Sequence, residues 1–433
     1  MKNTSAPDTG VLQQLLRDCE NLSLCVKLGD VLQWKNGHLQ QLGARLLLIA
    51  DGRIAAMLPE ADIPEDLPQV VHAIRPNAAM ADFSSCTAAP GILEGHAHLF
   101  LSPHGDVTSV VDELHDRARV NAVMALRHGT FWLRDCGDPH GINLSIRNQS
   151  RTSTEPMPFI RACGAAIHRR KRYGKQLGIA VDTDQDLLSA ARERIANGAD
   201  DVKLVLSGIV NFEKAEVPGE AQFPVSAVRD VVTLAHDNGR RVIAHASGEA
   251  GCLVAADAGV DTIEHAYFVS PQTLDIMAAK RLTWLPTLAP VHAQWRDAER
   301  YGHSPAIRDS LRRILDGHAQ RIAYAAEIGV CIAGGSDSGS PGVGHGSGAV
   351  DEFALLAEAG LGRMRAYAAC SAPGAASLGF TQSLNACEGG AAADFLILST
   401  SPLDDPSCLN TPRAIVRHGR LSAYIHEPAR CGS

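Results

Sequence analysis

From Ile92 to Leu378 the chain alternates short apolar runs with amphipathic stretches of helical length, a pattern that leaves few folds open. The apolar runs are Ile92 to His98, Thr130 to Leu133, Phe159 to Cys163, Asp201 to Leu206, Arg241 to His245, Thr262 to His265, Thr283 to Pro286 and Val330 to Ala333. Between them lie Asp112 to Arg127, Asp184 to Asn197, Val225 to Asn238, Ser270 to Lys280, Ile307 to Glu327 and Gly348 to Ala359, each patterned as a helix. Strand and helix in strict succession predict an α/β fold, and this many repeats predict a (β/α)8 TIM barrel rather than an open sheet. The third unit is irregular over residues 164–183.

The two ends of the chain have a different texture. Residues 1–22 carry Leu12, Leu15 and Leu16 among polar neighbours, which suits a short helix or a terminal extension. Cys25 to Leu28, Ala44 to Ile49 and Arg53 to Met57 read as strands, separated by turn signals at Asn36-Gly37 and Asp51-Gly52. Pro59 to Pro76 is rich in proline and acid and reads as loop. Past Leu378, Ala393 to Leu398 and Arg413 to Gly419 read as strands again. A β-layer at each end predicts one small β-sandwich domain built from both termini. The expected division is 1–88 and 381–433 for that sandwich and 89–380 for the barrel.

Composition excludes several function classes. A formal charge of −8 argues against nucleic acid or an anionic membrane surface as partner. No run approaches the roughly 18 apolar residues of a membrane span, and Met1 to Gly10 lacks the apolar core of a signal peptide. The expected setting is cytoplasmic. The 11 cysteines are scattered and never paired as Cys-x-x-Cys, so buried thiols are expected rather than a disulfide framework.

Barrel enzymes gather their reactive groups at the C-terminal ends of the strands. Here His96 and His98 close the first strand, and residues i and i+2 of a strand face the same side, about 7 Å apart at the backbone. Lys203 sits within the fourth strand, His245 ends the fifth, His265 ends the sixth, and Asp337 follows the eighth in Gly334-Gly335-Ser336-Asp337. Each has an ordinary explanation taken alone: a strand-end histidine usually packs, and an aspartate after Gly-Gly-Ser usually caps a helix. A lysine in an apolar strand is harder to explain, because burying an unpaired ammonium is costly. It needs a carboxylate, a lowered pKa or covalent modification.

Together these segments resemble the amidohydrolase superfamily, in the branch of metal-dependent prolidases, Xaa-Pro dipeptidases and imidazolonepropionase-like enzymes that use a carboxylated lysine. The resemblance rests on Pro90-Gly91 through His98, Gly129 to Asp135, Val202-Lys203-Leu204 with Ser207-Gly208, Ala244-His245-Ala246, and Ile263-Glu264-His265-Ala266. Gly334 to Gly339 and the tail Ala392 to Leu398 complete it, in the family's order. It implies a binuclear centre of two divalent ions, zinc being the first expectation. His96, His98 and Asp337 would hold one ion and His245 and His265 the other. Lys203, carboxylated by carbon dioxide, would bridge both. It also implies a bridging hydroxide that attacks a carbonyl, Asp337 as the proton carrier, a small-molecule substrate, and often a homo-oligomer. A dipeptide or N-acyl amino acid is the expected substrate; a cyclic amide, lactone or phosphoester is the alternative at the same centre. Ile209, where peptidases of the branch usually carry a second glycine after Ser-Gly, sets the dipeptide expectation against itself.

Four further residues are expected at the substrate. His168 and Arg172 belong to the basic run His168-Arg169-Arg170-Lys171-Arg172, which could hold a carboxylate, although a solvated loop is the favoured reading of the run as a whole. Tyr267 could donate to an oxyanion, and His345 lies in the glycine-rich run Gly334 to Gly348, which reads as a flexible rim loop. Trp284 to Pro286 would line the pocket. Arg134-Asp135 reads as an ion pair or as support behind the ligands. Two competing readings are a Schiff-base lyase acting through Lys203, which borohydride trapping would reveal, and a binding protein that keeps the metal for structure.

Overall fold

The computed structural model describes residues 9–106, 108–153, 155–383 and 387–423. Its described residues fall into two compact units, one from Met1–Gly91, Arg127–Gly129 and Thr381–Ser433, the other from Ile92–Leu126 and Thr130–Phe380.

The first unit contains strands β1 (Leu22–Lys35), β2 (His38–Gln41), β3 (Arg45–Ala50), β4 (Arg53–Pro59) and β5 (Ala79–Ala89), and from the far end of the sequence β16 (Phe395–Leu398), β17 (Ala414–Arg417) and β18 (Arg420–Ala423). They hydrogen-bond in the order β18-β17-β16-β5-β1-β3-β4, with β2 on β1. The antiparallel pairing of β16 with β5 joins the two ends of the chain. A sandwich was expected; the hydrogen bonding instead runs through one continuous sheet. Alternation along β1 and β3 sends Val26, Leu28, Leu47 and Ile49 to one cluster with Phe395 and Val416. The intervening Cys25, Leu46 and Leu48 join Leu12 and Leu16 of helix Thr9–Asp18 on the opposite face. Pro59 to Pro76 is not loop throughout. It forms a 3-10 turn at Glu60–Asp62 and a helix at Leu67–Ile74, because Pro68 falls in the first helical turn, where no N–H is needed.

The second unit is a TIM-barrel-like α/β domain of parallel strands. β6 (Ile92–Ala97), β7 (Thr130–Asp135) and β8 (Phe159–Ala162) pair in order. β9 (Ala166–Arg169), β11 (Asp201–Val205), β12 (Arg241–Ala246), β13 (Thr262–His265), β14 (Thr283–Leu285) and β15 (Cys331–Ile332) form the second run, with β10 (Gly178–Val181) outside β9. β6 is tied to the segment after β15: Gly95 donates to the Gly334 carbonyl at 3.0 Å, Ser338 to His96 at 3.2 Å, and His98 to Ser338 at 2.9 Å. At the other gap Asp200 donates to Ala162 at 2.8 Å, and Arg161 pairs with Asp201 at 2.7 Å.

The irregular stretch at 164–183 is where the chain departs from the simple repeat. β8 bends at Gly164, whose φ is 68°, resumes as β9, and adds the short parallel strand β10. Gly178 is required there, since a Cβ would lie 1.8 Å from the Ala166 carbonyl oxygen. Among the described residues of this unit, five helices were not legible: Ile142–Thr152, Glu249–Ala258, Leu288–Arg296, Gly362–Ala369 and Ala372–Ser377. The first is dominated by polar residues, the second by alanine and glycine with little apolar contrast, and the third is interrupted by Pro290. The glycine-rich run Gly334 to Gly348 is not an exposed rim loop. Most of it is buried, and Gly342 donates to the Pro103 carbonyl at 2.9 Å. Among the described residues no helix is long and apolar enough to cross a membrane, and the described cysteines are free and mostly buried.

Gly95 lets β6 approach its neighbours. A Cβ there would stand 2.5 Å from the Gly334 carbonyl and 2.7 Å from Leu285. Gly95→Ala is expected to cost about 1–3 kcal/mol and to lower the Tm by several degrees in circular dichroism melts. An unchanged Tm would show that β6 has room to move.

Candidate metal centre

The TIM-barrel-like unit brings the six residues expected as ligands to one place. His96 and His98 leave the end of β6, Lys203 stands mid-way along β11, His245 near the end of β12, and His265 ends β13. Asp337 comes from the segment bonded to β6. Its Oδ1 lies 3.5 Å from Nε2 of both His96 and His98. Ligand atoms of these three residues all fall within 4.8 Å of one another. Ring centroids place His96 5.0 Å from His265, and His265 4.6 Å from His245. The histidines and Lys203 are buried, and the Asp337 side chain is 16% exposed.

The remaining nitrogens of the imidazoles are fixed by protein groups. His98 Nδ1 donates to the Gly137 carbonyl at 2.9 Å, and His96 Nδ1 donates to Glu264 Oε2 at 2.6 Å. His265 Nδ1 bonds the Thr287 hydroxyl at 2.7 Å, and His245 Nε2 reaches the Gly208 carbonyl at 3.3 Å. A histidine whose one nitrogen is thus engaged offers the other as a lone pair. Burial, reinforced by the nearby Lys203, pushes His245 down to about 3 and holds His96 well below the usual imidazole range; in His265, burial acts first and the neighbouring His245 and His96 next. All three are neutral at neutral pH, the form that binds a metal. Burial raises the Asp337 carboxyl above its ordinary value, opposed chiefly by His98.

Behind the histidines lies a buried ion pair. Arg134 Nη2 donates to Glu264 Oε1 at 2.9 Å, its Nε to the Gly95 carbonyl at 2.8 Å, and its Nη1 to the Thr262 hydroxyl at 3.1 Å. Asp135 is not Arg134's partner. It accepts from the Leu99 and Gly137 amides and from Asn143. Trp284, expected in the pocket wall, is buried and donates its indole N–H to the His265 carbonyl at 3.0 Å.

The donor set of His96, His98 and Asp337 suits a divalent cation. The observation that tests this is Lys203 Nζ, which is buried without a hydrogen-bond partner among the described residues. The Amidohydrolase family pattern matches residues 87–420. The chain belongs to the amidohydrolase family. It is therefore a hydrolase of amide-type carbon–nitrogen bonds acting on small molecules, in a family that commonly uses divalent metals. An uncharacterized protein of Mycobacterium tuberculosis (strain H37Rv) is 29% identical over 331 residues, 76% of this chain and 84% of that one. Ochratoxinase of Aspergillus niger is 26% identical over 236 residues, 54% of this chain and 48% of that one. In fold, a crystal structure of a Xaa-Pro dipeptidase with bound methionine matches with a TM-score of 0.78 at 22% identity, covering 93% of this chain and all of that one.

In this amidohydrolase the six residues border a cavity of about 510 Å³. Of the four expected substrate contacts, only Tyr267 lines it, and its hydroxyl is committed to the Thr287 carbonyl at 2.6 Å. His168 is buried with Nδ1 on the Arg169 carbonyl, Arg172 holds the Glu220 carbonyl at 2.7 Å, and His345 donates to the Leu101 carbonyl at 3.1 Å. None of these three borders the cavity. The walls come instead from Leu101, Tyr173, Ile209, Phe212, Pro290 and Val291. Sequence reading missed these because they lie on connecting loops and on helix Leu288–Arg296, away from strand ends; Ile209, flagged as a departure, was the one signal.

Removing the cation behind His96 strands a buried carboxylate. Arg134→Met is expected to destabilise the protein by about 3–5 kcal/mol in denaturant unfolding, while Arg134→Met with Glu264→Gln recovers much of the loss. Strictly additive losses would mean the two groups do not act as a pair.

Proposed function

We propose that this amidohydrolase is a metal-dependent enzyme that cleaves an amide bond at a binuclear centre. His96, His98 and Asp337 would hold one divalent ion, His245 and His265 the second, with zinc the expected metal. Lys203 would serve both through a carbamate: the amine nitrogen attacks carbon dioxide, a C–N bond forms as one C=O π bond opens onto oxygen, and an N–H proton passes to water. The buried, partnerless Lys203 amine carries this reading. As a carbamate it would be an anion among metal ligands instead of a buried amine with no hydrogen-bond partner.

When bound, such a pair lowers the pKa of a shared water towards neutrality and polarises a substrate carbonyl. The protein's own groups do the rest. Asp337, 3.5 Å from both His96 and His98, takes the proton released by the attacking water and returns it to the leaving nitrogen. Glu264, Gly137 and Thr287 hold the imidazoles in orientation. The apolar walls keep bulk water from the attacked carbon. An amide is favoured over the alternative lactone or phosphoester because the similar structure is that of a dipeptidase, whose substrate bond is a peptide. We further propose that residues 89–380 form the hydrolytic (β/α)8 barrel, and that 1–88 and 381–433 form the accessory β domain.

Asp337→Asn is expected to keep its metal, by elemental analysis, and to lose about 10²–10⁴ in kcat. Chelation should abolish wild-type amide hydrolysis and added divalent cation restore it. Wild-type turnover by metal-replete Asp337→Asn would remove the aspartate from proton transfer, and full activity after exhaustive chelation would end the metal reading.

A further inference from the structure

The charge lining the cavity is one-sided. Among the described residues no arginine borders it, and Lys203, assigned to the centre itself, is the one lysine that does. The arginines of the basic run that could have held a carboxylate are engaged elsewhere: Arg169 pairs with Asp184 at 2.5 Å, Arg170 with Asp182 at 2.6 Å, and Arg172 with the Glu220 carbonyl. The charged group on the solvent-exposed part of the lining is the carboxylate of Asp106. Apolar groups make most of the remaining wall, and Ile209 among them is 57% exposed, so its side chain is open to a ligand.

Away from the metal ions proposed at the centre, a substrate carboxylate brought into such a cavity would lose water without meeting a guanidinium or ammonium of the lining, and would approach Asp106 at the entrance. An uncharged apolar group would instead cover Leu101, Ile209 and Phe212 at no such cost. Resting on the amide-hydrolase reading above, we infer that the substrate is a neutral amide with an apolar group on the Ile209 side and no carboxylate beside the scissile bond. This departs from the dipeptide and N-acyl amino acid expected from the sequence, both of which carry that carboxylate. The volume, about 510 Å³, is in the range of sites for small organic ligands.

The test uses one matched pair, N-hexanoyl-leucine and N-hexanoyl-isoamylamine, which differ only by the carboxylate next to the amide nitrogen. With metal-loaded enzyme, kcat/KM should favour the neutral member by at least about tenfold. Ile209→Arg should move that ratio towards the acid by at least about tenfold, which a purely structural role of Ile209 would not do. Equal rates or a preference for the acid overturn the inference. If neither compound is cleaved, the hydrolase reading fails on this pair and the ratio is read from calorimetric Kd values. Tighter binding of the neutral member then upholds the pocket assignment, and tighter binding of the acid, or no binding of the neutral member, overturns it.

Discussion

The structure of this site depends on the cost of burying Lys203. An ammonium without a partner inside a protein is among the most expensive groups to keep there, yet β11 places Lys203 mid-strand with no hydrogen-bond acceptor among the described residues. Around it stand His96, His245 and His265, themselves kept neutral by burial. These groups repel added protons and offer lone pairs, so the cluster makes physical sense as a receptacle for positive charge from outside. A carbamate on Lys203 would remove the misplaced cation and add an anion where dications are to be held.

Holding the cluster in place costs backbone strain. His265, Ala266, Thr287 and Asp337 all have φ between 51° and 70°, a region that side-chain-bearing residues enter rarely. Such residues cost about 1–3 kcal/mol each and persist when the surroundings over-determine them. Thr287 shows how. Its hydroxyl bonds His265, its carbonyl accepts from Tyr267, and the two following amides, Leu288 and Ala289, donate to the buried Glu352 carboxylate at 3.0 and 2.9 Å. Burial holds that carboxyl up, at about 8. One residue thus links a proposed metal ligand, a pocket-lining ring and the start of the helix that supplies Pro290 and Val291.

The parts legible in the sequence are those where chemistry contradicts the local pattern. A histidine pair or a lysine inside an apolar strand stands out because the period-2 and helical periodicities predict something else, and the TIM-barrel-like domain brings such residues together. His96, His98, Lys203, His245, His265 and Asp337 were read together, from their places at strand ends and from the resemblance to the amidohydrolase superfamily, and all six border one cavity. What supports them was less legible. Arg134 and Glu264 are distant in sequence and look like ordinary strand charges until β7 and β13 bring them together. The insertion after β8 has strands of four residues, too short for a periodic signal. The substrate side was the least legible: the basic run at 168–172 could have held a carboxylate, but its arginines are taken up by Asp184, Asp182 and the Glu220 carbonyl. Charge in a sequence does not say which way a side chain turns.

The most direct measurement is the number of divalent ions bound per chain, in protein expressed with bicarbonate and zinc, compared with Lys203→Ala prepared identically. The expected result is close to two ions in the wild type, with a sharp fall in the variant that has no amine to carboxylate. About one ion per chain, unchanged by the substitution, would contradict the carbamate-bridged pair and leave Lys203 with another role. No bound metal in either protein would contradict the metal centre itself.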